Sequence, residues 1–402
     1  MSDPATGGSA MAGVLLVTNK LQHSPGGGRE MLCKLNHGLL RDLYGDRLVV
    51  IELEKRPLRG GAAIMNAFRG YIDGLDAEAA ARMAGTIEDR KVRKVFVDGS
   101  NLGQAAKLVA SRFPDVEVTT FFHNVEARFF WGALKRSWSI HALGVLAANY
   151  LAERKAVRHS DKIICLSHRD SQLLLGLYGR AATHVSPIAL EDKVPERAGS
   201  ALGLGPPREK FVLFVGGAFY ANRDGIAWFV ENVVPHLSIK TMVVGKGLEA
   251  MKNRLEREGR VEVVGAVDSL AGWYRDATVV VAPIFDGSGM KTKVAEALMH
   301  GKRVIGTPEA FSGYEDVVDQ VGRVCSTASE FVDAIAAVQD ESAAAFSPGL
   351  RALYEEKYSF AAARSRFADM LEPTGSPAKE DIPAFELRRR QPPAPAHRGD
   401  AS

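Results

Sequence analysis

The sequence predicts an α/β fold made of doubly wound parallel sheets. Short apolar runs rich in Val, Ile and Leu alternate with helical patterns along most of the chain. Uninterrupted apolar runs are typical of parallel strands buried on both faces, and their alternation with helices favours doubly wound sheets. A stretch rich in Gly and Pro at 195–210 divides the runs into two sets, which predicts two Rossmann-like domains. One large sheet with an inserted loop is the alternative.

The predicted elements follow directly from these patterns. Strands are predicted at Val14–Val17, Leu48–Leu53, Lys94–Val97, Val116–Phe122, Lys162–Leu166, Phe211–Val215, Thr241–Val244, Val261–Val264, Thr278–Ala282 and Arg303–Gly306. Helices are predicted at Arg29–Asp42, Ala77–Arg90, Asn101–Arg112, Ala127–Arg158 and Asp224–His236. We place the domains at 12–194 and 211–371, with the linker between them. A disordered start is expected at 1–11 and a disordered tail, rich in Pro and Arg, at 372–402.

Composition and charge restrict the classes of function. The 402 residues are 46% hydrophobic and 25% charged, the balance of an ordinary soluble globular protein. Lys and Arg number 51 against 48 Asp and Glu, so the overall charge does not favour nucleic acid as a partner. Cys33, Cys165 and Cys325 lie far apart without metal-ligand spacing. They favour a reducing cytoplasm and predict neither a disulfide framework nor a metal site.

A Gly-rich loop between a predicted strand and a predicted helix is the clearest candidate for ligand binding. Gly287 and Gly289 allow a tight turn and a close approach of a ligand to the backbone. The next helix is expected to begin near Met290, and its free N–H groups would face the loop. The free N–H groups and the positive end of the helix dipole suit a phosphate or diphosphate.

Charged side chains follow this loop. Lys291 and Lys293 place positive charge at the same helix start. Glu296 lies one to two turns further on, where a carboxylate can accept hydrogen bonds from vicinal hydroxyls such as those of a ribose. A polar helix start with solvated lysines is the alternative.

Two segments of the first half of the chain are further candidates for ligand binding. Gly26, Gly27 and Gly28 precede the helix that starts near Arg29, where a phosphate or a sugar would fit; a mobile surface loop is the alternative. His123 and Asn124 directly follow a predicted buried strand, and Glu126 starts the next helix. Ligands favour the carboxyl ends of parallel strands, so these segments predict a cleft lined by both domains. A structural role for His123 is the alternative.

Together these segments resemble the GT-B-fold, family 4 retaining glycosyltransferases, over nearly the whole chain up to about Leu371. The strongest stretch runs from Phe214 to Gly313 and contains a G-x-G-x-[RK]-x-K-x-x-E pattern that starts at Gly287 and ends at Glu296. The HNVE at 123–126, the Gly-rich loop at 26–28 and the SDKIICLSHRD run at 160–170 look like features of the family's acceptor domain.

The resemblance implies retaining transfer of a hexose from a UDP- or GDP-sugar to a saccharide or lipid-linked saccharide, in surface polysaccharide or glycoconjugate synthesis. It implies His123, Lys291 and Glu296 as catalytic residues. The implied donor site consists of Gly217, Asp286, Gly287, Ser288, Gly289, Met290, Lys291, Lys293 and Glu296. The implied acceptor or phosphate loop consists of Gly26, Gly27, Gly28, Arg29, Asn124 and Glu126. No cofactor is implied, and no Asp-x-Asp motif in a suitable loop predicts a metal.

The sequence departs from the family pattern at two places. Ser288 stands where many members have the first glutamate of an E-x(7)-E motif. The segment Gly216–Asn222 lacks the Arg and Lys that many members carry after the first strand of the donor domain. We expect Asp286 to do part of the glutamate's work, and Arg223 or the two helix-start lysines to supply the missing charge.

The predicted helix after HNVE suggests a peripheral contact with an anionic membrane. Trp131, Lys135, Arg136 and Trp138 combine aromatic and basic side chains on one stretch, which suits an interface with lipid at the inner face of the plasma membrane. A core helix with a basic exposed side is the alternative.

Three other functions stay open at this level. A sugar-nucleotide epimerase uses the same two-domain fold, and a non-catalytic sensor would bind a nucleotide sugar without transfer. An NAD-dependent oxidoreductase rests on the weak fingerprint GKGLEA at Gly245–Ala250 alone.

Overall fold

Two separate parallel sheets of six strands each form the framework, so the single large sheet is wrong. The computed structural model of the chain describes residues 13–22, 27–54, 61–194, 210–287, 289–340 and 346–372. The predicted disordered start, the predicted linker up to residue 209 and the predicted tail from residue 373 onward lie outside the described residues.

The first sheet has the spatial order β2-β1-β3-β4-β5-β6. Its strands are β1 (Val14–Asn19), β2 (Leu48–Leu53), β3 (Lys94–Asp98), β4 (Glu117–Phe122), β5 (Lys162–Cys165) and β6 (His184–Val185). Its helices are α1 (Gly28–Tyr44), α2 (Gly61–Arg69), α3 (Ala77–Arg90), α4 (Gly103–Arg112), α5 (Glu126–Arg136), α6 (Ile140–His159) and α7 (His168–Tyr178). The direction of winding reverses between β1 and β3, where such sheets bind ligands at the carboxyl ends of the strands.

The second sheet has the spatial order β9-β8-β7-β10-β11-β12. Its strands are β7 (Phe211–Val215), β8 (Lys240–Val244), β9 (Val261–Gly265), β10 (Val279–Ala282), β11 (Val304–Gly306) and β12 (Gly322–Val324). The helices that follow β7 are α8 (Tyr220–Asn232), α9 (Lys252–Leu255), α10 (Ala271–Asp276), α11 (Thr292–Met299), α12 (Val318–Val321), α13 (Ala328–Asp340), α14 (Pro348–Leu353) and α15 (Phe360–Leu371). The winding reverses between β7 and β10.

The predicted strands agree with the structure within two residues, because their apolar runs are buried on both faces of the sheets. The structure adds β6 and β12, which are strands of two and three residues at the sheet edges. Neither carries an apolar run, so the sequence pattern contains no signal for them.

The predicted single helix over Ala127–Arg158 is wrong. The segment forms α5 and α6, separated by Ser137–Ser139. The Ser139 hydroxyl accepts a hydrogen bond from the Ala142 N–H at 3.0 Å and so caps a new helix. Trp138 lies in this break and is 74% exposed.

Helix α15 crosses back to the first domain. Phe367 of α15 packs between Phe96 and Phe121, with ring centroids 5.9 and 6.1 Å apart. At Glu372, the first residue of the predicted tail, the carboxylate accepts a hydrogen bond from the Tyr44 hydroxyl at 2.9 Å. The last described residue therefore belongs to the ordered fold.

Gly225 of α8 allows this helix to lie directly against the loop after β10. A Cβ atom on Gly225 would stand 1.8 Å from the backbone oxygen of Pro283. Only a glycine permits this approach, which joins the two loops at the switch point of the second sheet.

Replacing Gly225 with Ala should therefore destabilise the protein by about 2–3 kcal/mol or prevent folding, because the helix must move away from the loop. The matched control is Gly144→Ala in α6, where a Cβ atom meets nothing within 4 Å. That control should stabilise the helix by up to about 1 kcal/mol. Urea unfolding of both variants checks this, and equal effects would contradict it.

Candidate active site

The start of α11 buries two charged side chains at the switch point of the second sheet. The Lys293 ammonium donates a hydrogen bond to the Asn222 side-chain oxygen at 2.8 Å and lies 4.6 Å from the centre of the Phe214 ring. Asn222 in turn donates to the Gly217 carbonyl at 2.9 Å. The Asn222 side chain thus links Lys293 to the loop that follows β7. Burial lowers the pKa of Lys293 to about 7, against the opposing pull of Glu296.

Glu296 lies one turn further along α11 and is partly buried. Its carboxylate accepts a hydrogen bond from the Tyr274 hydroxyl at 3.1 Å. Burial raises the pKa of Glu296, and Tyr274, Lys193 and Lys293 oppose this rise. The carboxylate is therefore oriented by one donor and can accept further hydrogen bonds from a ligand.

The Gly-rich loop takes the tight turn predicted for it. Gly287 and Gly289 have φ of 144° and 66°, values that favour glycine. The Asp286 carboxylate accepts a hydrogen bond from the Gly287 N–H at 2.7 Å and another from the Tyr220 hydroxyl at 3.3 Å. The helix starts at Thr292, two residues after the predicted position. Ser288 lies outside the described residues.

Lys291 points away from Lys293 and toward the first domain. Its ammonium donates to the Gly289 carbonyl at 2.8 Å and pairs with the Glu309 carboxylate at 3.0 Å. Its backbone oxygen accepts a hydrogen bond from the Tyr314 hydroxyl. Burial lowers the pKa of Lys291. The neighbouring Met290 is buried.

His123 of the first domain is buried beside a charged partner. Its Nε2 lies 2.8 Å from Oδ1 of Asp98. The same Oδ1 accepts a hydrogen bond from the Asn36 side-chain amide at 2.8 Å, and Oδ2 of Asp98 accepts one from the Thr18 hydroxyl at 2.7 Å. Burial alone would raise the pKa of Asp98, but His123, Asn36 and Thr18 together lower it. An ionised carboxylate only accepts, so Nε2 carries the proton. In the described part of the chain nothing hydrogen-bonds to Nδ1 of His123.

Cys33 joins this group, with its sulfur 3.9 Å from Nε2 of His123. One ligand atom from each of Cys33, Asp98 and His123 lies within 4.8 Å of the others. Both oxygens of Asp98 already accept hydrogen bonds, and burial raises the pKa of the Cys33 thiol far above its ordinary value. This donor set fits a hydrogen-bond network better than a metal.

The Gly-rich start of α1 is exposed to solvent, whereas the side chain of the next residue, Arg29, is held by hydrogen bonds. Gly27 and Gly28 are exposed, and Gly26 lies outside the described residues. The Arg29 guanidinium donates to Asp73 at 2.8 Å and to Asn19 at 2.8 Å. Its Nε is buried without a partner among the described residues. Arg29 therefore ties α1 to the carboxyl end of the first sheet.

The HNVE segment is held by a residue that sequence reasoning missed. The buried Glu153 carboxylate accepts hydrogen bonds from the N–H groups of Glu126 and Ala127, both at 2.9 Å. It thus caps α5 from a neighbouring helix. Asn124 faces the second domain, because a Cβ atom on Gly289 would lie 3.6 Å from its Cβ and 3.4 Å from the His123 carbonyl oxygen.

A cleft between the domains brings these loops together. A cavity of about 360 Å³ is lined by residues of α5 in the first domain and by Tyr220, Asp286 and Gly287 in the second. Arg136 of α5 lies 3.8 Å above the Tyr220 ring and pairs with Asp286 at 3.4 Å. The predicted central cleft is therefore present, with the Gly-rich loop of the second domain at its wall.

The GKGLEA segment at Gly245–Ala250 packs loops together and does not form a dinucleotide site. Gly245 packs against the Gly216 carbonyl, where a Cβ atom would stand 1.9 Å away. Only short helical turns follow, at Leu248–Met251 and α9. The long helix that a dinucleotide site requires is missing from this described stretch, and the glycines serve loop packing.

Comparisons with known proteins agree with this geometry. The family model described as glycosyl transferases group 1 matches residues 209–341, which is most of the second domain. Within this chain the match is confined to the second domain, and the two parallel sheets with their flanking helices form a GT-B fold. The comparison with curated protein sequences gives no match.

Solved structures share the fold of this chain along almost its whole length. Sucrose-phosphate synthase from Thermosynechococcus elongatus is 16% identical, with a TM-score of 0.66 over 89% of this chain and 98% of that chain. Anabaena Alr3699/HepE in complex with UDP is 15% identical, with a TM-score of 0.62 over 90% and 99%. The lipopolysaccharide outer core galactosyltransferase WaaB is 12% identical, with a TM-score of 0.57 over 89% and 98%.

Several residues of this cleft were missed from the sequence. Asn222 links Lys293 to the loop after β7, Tyr274 orients Glu296, and Asp98 orients His123. Asp98 ends β3 and is followed by Gly99, a polar residue at the carboxyl end of a buried strand, and that signal could have found it. The expected substitute Arg223 is exposed, whereas Lys293 reaches the same loop.

Lys293→Met should stabilise the ligand-free protein at neutral pH. The pKa falls from 10.5 to about 7 in the folded state, so the unfolded chain binds more protons between these values. The buried ammonium therefore lowers the free energy of unfolding by its full amount below pH 7, and this destabilisation disappears as the pH rises toward 10.5. We expect Lys293→Met to raise the free energy of unfolding by about 2–4 kcal/mol below pH 7, and by less as the pH rises.

Chemical unfolding of both proteins from pH 6 to pH 10 checks this. The control, Lys252→Met at an exposed site of α9, should change stability by less than about 0.5 kcal/mol. A difference between Lys293→Met and the original protein that does not depend on pH would contradict the prediction.

Proposed function

We propose that this glycosyltransferase moves a hexose from a UDP- or GDP-sugar to a saccharide or lipid-linked saccharide, with retention at the anomeric carbon and without a metal. The second domain binds the donor and the first domain the acceptor, in surface polysaccharide or glycoconjugate synthesis. The observation that carries the proposal is the pair Lys293 and Glu296, held on one face of α11 at the switch point of the second sheet. The structures of HepE in complex with UDP and with UDP-glucose support this donor class.

The charges at α11 suit the departure of a nucleoside diphosphate. Lys293 supplies a buried positive charge beside the loop after β7, in place of the Arg and Lys that the family carries there. A diphosphate beside it would raise the pKa of Lys293 again, so that the ammonium stabilises the leaving group. Glu296 accepts hydrogen bonds from the ribose hydroxyls. Asp286 and the backbone of Gly287 and Gly289 face the transferred hexose.

His123 approaches the reaction centre from the first domain. Asp98 holds the proton on Nε2, which leaves Nδ1 as an acceptor for a hydroxyl group of the donor sugar. We place no covalent nucleophile in the cleft and propose that the acceptor attacks the anomeric carbon on the face that the diphosphate leaves. The proton of the acceptor hydroxyl passes to the departing diphosphate.

Glu296→Gln tests the donor site. We expect it to weaken binding of UDP-glucose, UDP-galactose or GDP-mannose, whichever stabilises the original protein most, by about 10–100-fold, because a neutral amide replaces a charged acceptor. Thermal shift with each nucleotide sugar measures this. The control is Glu258→Gln, at an exposed site in the turn before β9. An unchanged affinity in Glu296→Gln would overturn the role of Glu296.

Stereochemistry is tested without an acceptor. Slow hydrolysis of the preferred donor, followed by proton NMR from the first minutes, shows the anomer released before mutarotation. Release of the anomer present in the donor supports retention, and the opposite anomer would refute it.

We also propose a peripheral contact with anionic lipid on the cytoplasmic side of the plasma membrane. None of the described helices is long and apolar enough to cross a membrane. The break between α5 and α6 exposes Trp138 and Ile140 at 74% and 83%, next to the basic Lys135 and Arg136. Free cysteines, all buried, accord with a reducing compartment.

The double variant Trp138→Ser with Ile140→Ser should reduce sedimentation with vesicles of phosphatidylglycerol by at least about half. Neutral phosphatidylcholine vesicles should bind neither protein strongly. The control is Leu177→Ser, since Leu177 is exposed at 40% on α7, away from the basic pair. Equal binding of the double variant would refute the contact.

A further inference from the structure

A cluster of three cations surrounds one carboxylate where the two domains meet. Glu309 follows β11, and its carboxylate pairs with the Lys291 ammonium at 3.0 Å. From the first domain, the guanidinium of Arg169 lies 3.2 Å and that of Arg128 lies 3.4 Å from the other carboxylate oxygen. Arg169 also donates a hydrogen bond to the Ser312 hydroxyl. We name Arg128, Arg169, Lys291 and Glu309 the interface cluster.

The interface cluster carries more positive than negative charge. One carboxylate cannot balance three cations in a partly dry site, and this excess favours a further anion. The residue after Arg169 is Asp170, which is buried and whose carboxylate accepts a hydrogen bond from Ser167 at 2.9 Å. Even with Asp170 counted as an anion, the three cations outnumber the two carboxylates.

Both arginines of the interface cluster are partly exposed, and Arg128 lines the cleft. Their side chains are each 31% exposed, whereas those of Glu309 and Lys291 are 15% and 13% exposed. Arg128 also lines the interdomain cavity, together with Phe129, Trp131, Gly132, Lys135 and Arg136 of α5. The cavity thus offers guanidinium groups for an anion beside aromatic side chains for an apolar group.

The interface cluster is separate from the proposed donor site. Lys293 faces Asn222 and the loop after β7, whereas Lys291 faces the first domain and its two arginines. In the described part of the chain, the carboxylate that pairs with both Arg128 and Arg169 is that of Glu309.

We propose that Arg128 and Arg169 bind a phosphate or diphosphate group of the acceptor, and that Glu309 occupies the same guanidinium groups until the acceptor arrives. The acceptor class is then a phosphorylated one, an apolar chain joined through phosphate to the saccharide or hydroxyl that receives the hexose. This inference rests on the proposed function and narrows its acceptor. Bidentate guanidinium groups match phosphate oxygens, which a lone ammonium does not.

The test uses hexyl diphosphate as the probe and hexanol as its uncharged control, titrated into protein saturated with UDP. We expect Arg128→Gln and Arg169→Gln to weaken probe binding by about 10-fold or more each, as the loss of a charge-assisted hydrogen bond implies. Glu309→Gln should tighten it several-fold, since the competing carboxylate is removed. Arg112→Gln, at an exposed ion pair with Glu88 far from the cleft, should have no effect.

Opposite results would overturn the proposal. The proposal is wrong if hexyl diphosphate does not bind to the original protein, or if hexanol binds to it equally well. It is also wrong if Glu309→Gln binds hexyl diphosphate more weakly, since Glu309 then only holds the domains together. Loss of UDP binding in either arginine variant would assign the arginines to the donor. If the glutamine variants do not fold, Arg128→Lys and Arg169→Lys keep the charge and should show a smaller loss.

Failure of the proposed function gives a different signature. A protein that binds no nucleotide sugar or UDP would refute the donor site, and hexyl diphosphate titrated into the ligand-free protein would still report on the interface cluster.

Discussion

The return of the chain to the first domain is the interaction on which the cleft depends. Phe367 inserts between Phe96 and Phe121, and a second crossing is made where the Leu190 N–H donates to the Tyr358 carbonyl at 2.9 Å. A second hydrogen bond joins the same two segments, because the Tyr354 hydroxyl donates to the Leu190 carbonyl at 2.8 Å. Two crossings fix the domains against each other, so that the carboxyl ends of both sheets face one cleft.

That arrangement brings ion pairs together across the cleft. Arg128, Arg136 and Arg169 of the first domain pair with Asp224, Asp286 and Glu309 of the second, and Lys291 adds a further positive charge on the second wall. Partly exposed pairs of this kind contribute little to stability. Under the proposal for the interface cluster, their value lies in specificity, because an anionic ligand replaces a carboxylate at its guanidinium partner.

The sequence predicts the framework because burial dictates the pattern. Interior strands such as β1 and β7 follow from their apolar runs, whereas the edge strand β6 has none. The pairs across the cleft could not be predicted. Arg169 and Glu309 are separated by 140 residues, and only the docking of two domains brings them together. The helix break at Ser139 was readable as an N-cap signal, but the apolar residues on both sides masked it.

The segment after β7 lacks the Arg and Lys that many members of the resembled family carry there, and Lys293 approaches the same loop from α11 through Asn222. Burial lowers the pKa of this ammonium to about 7. Under the proposed function, the negative charge of a bound diphosphate raises that pKa again, so that the charge of the site depends on its occupancy.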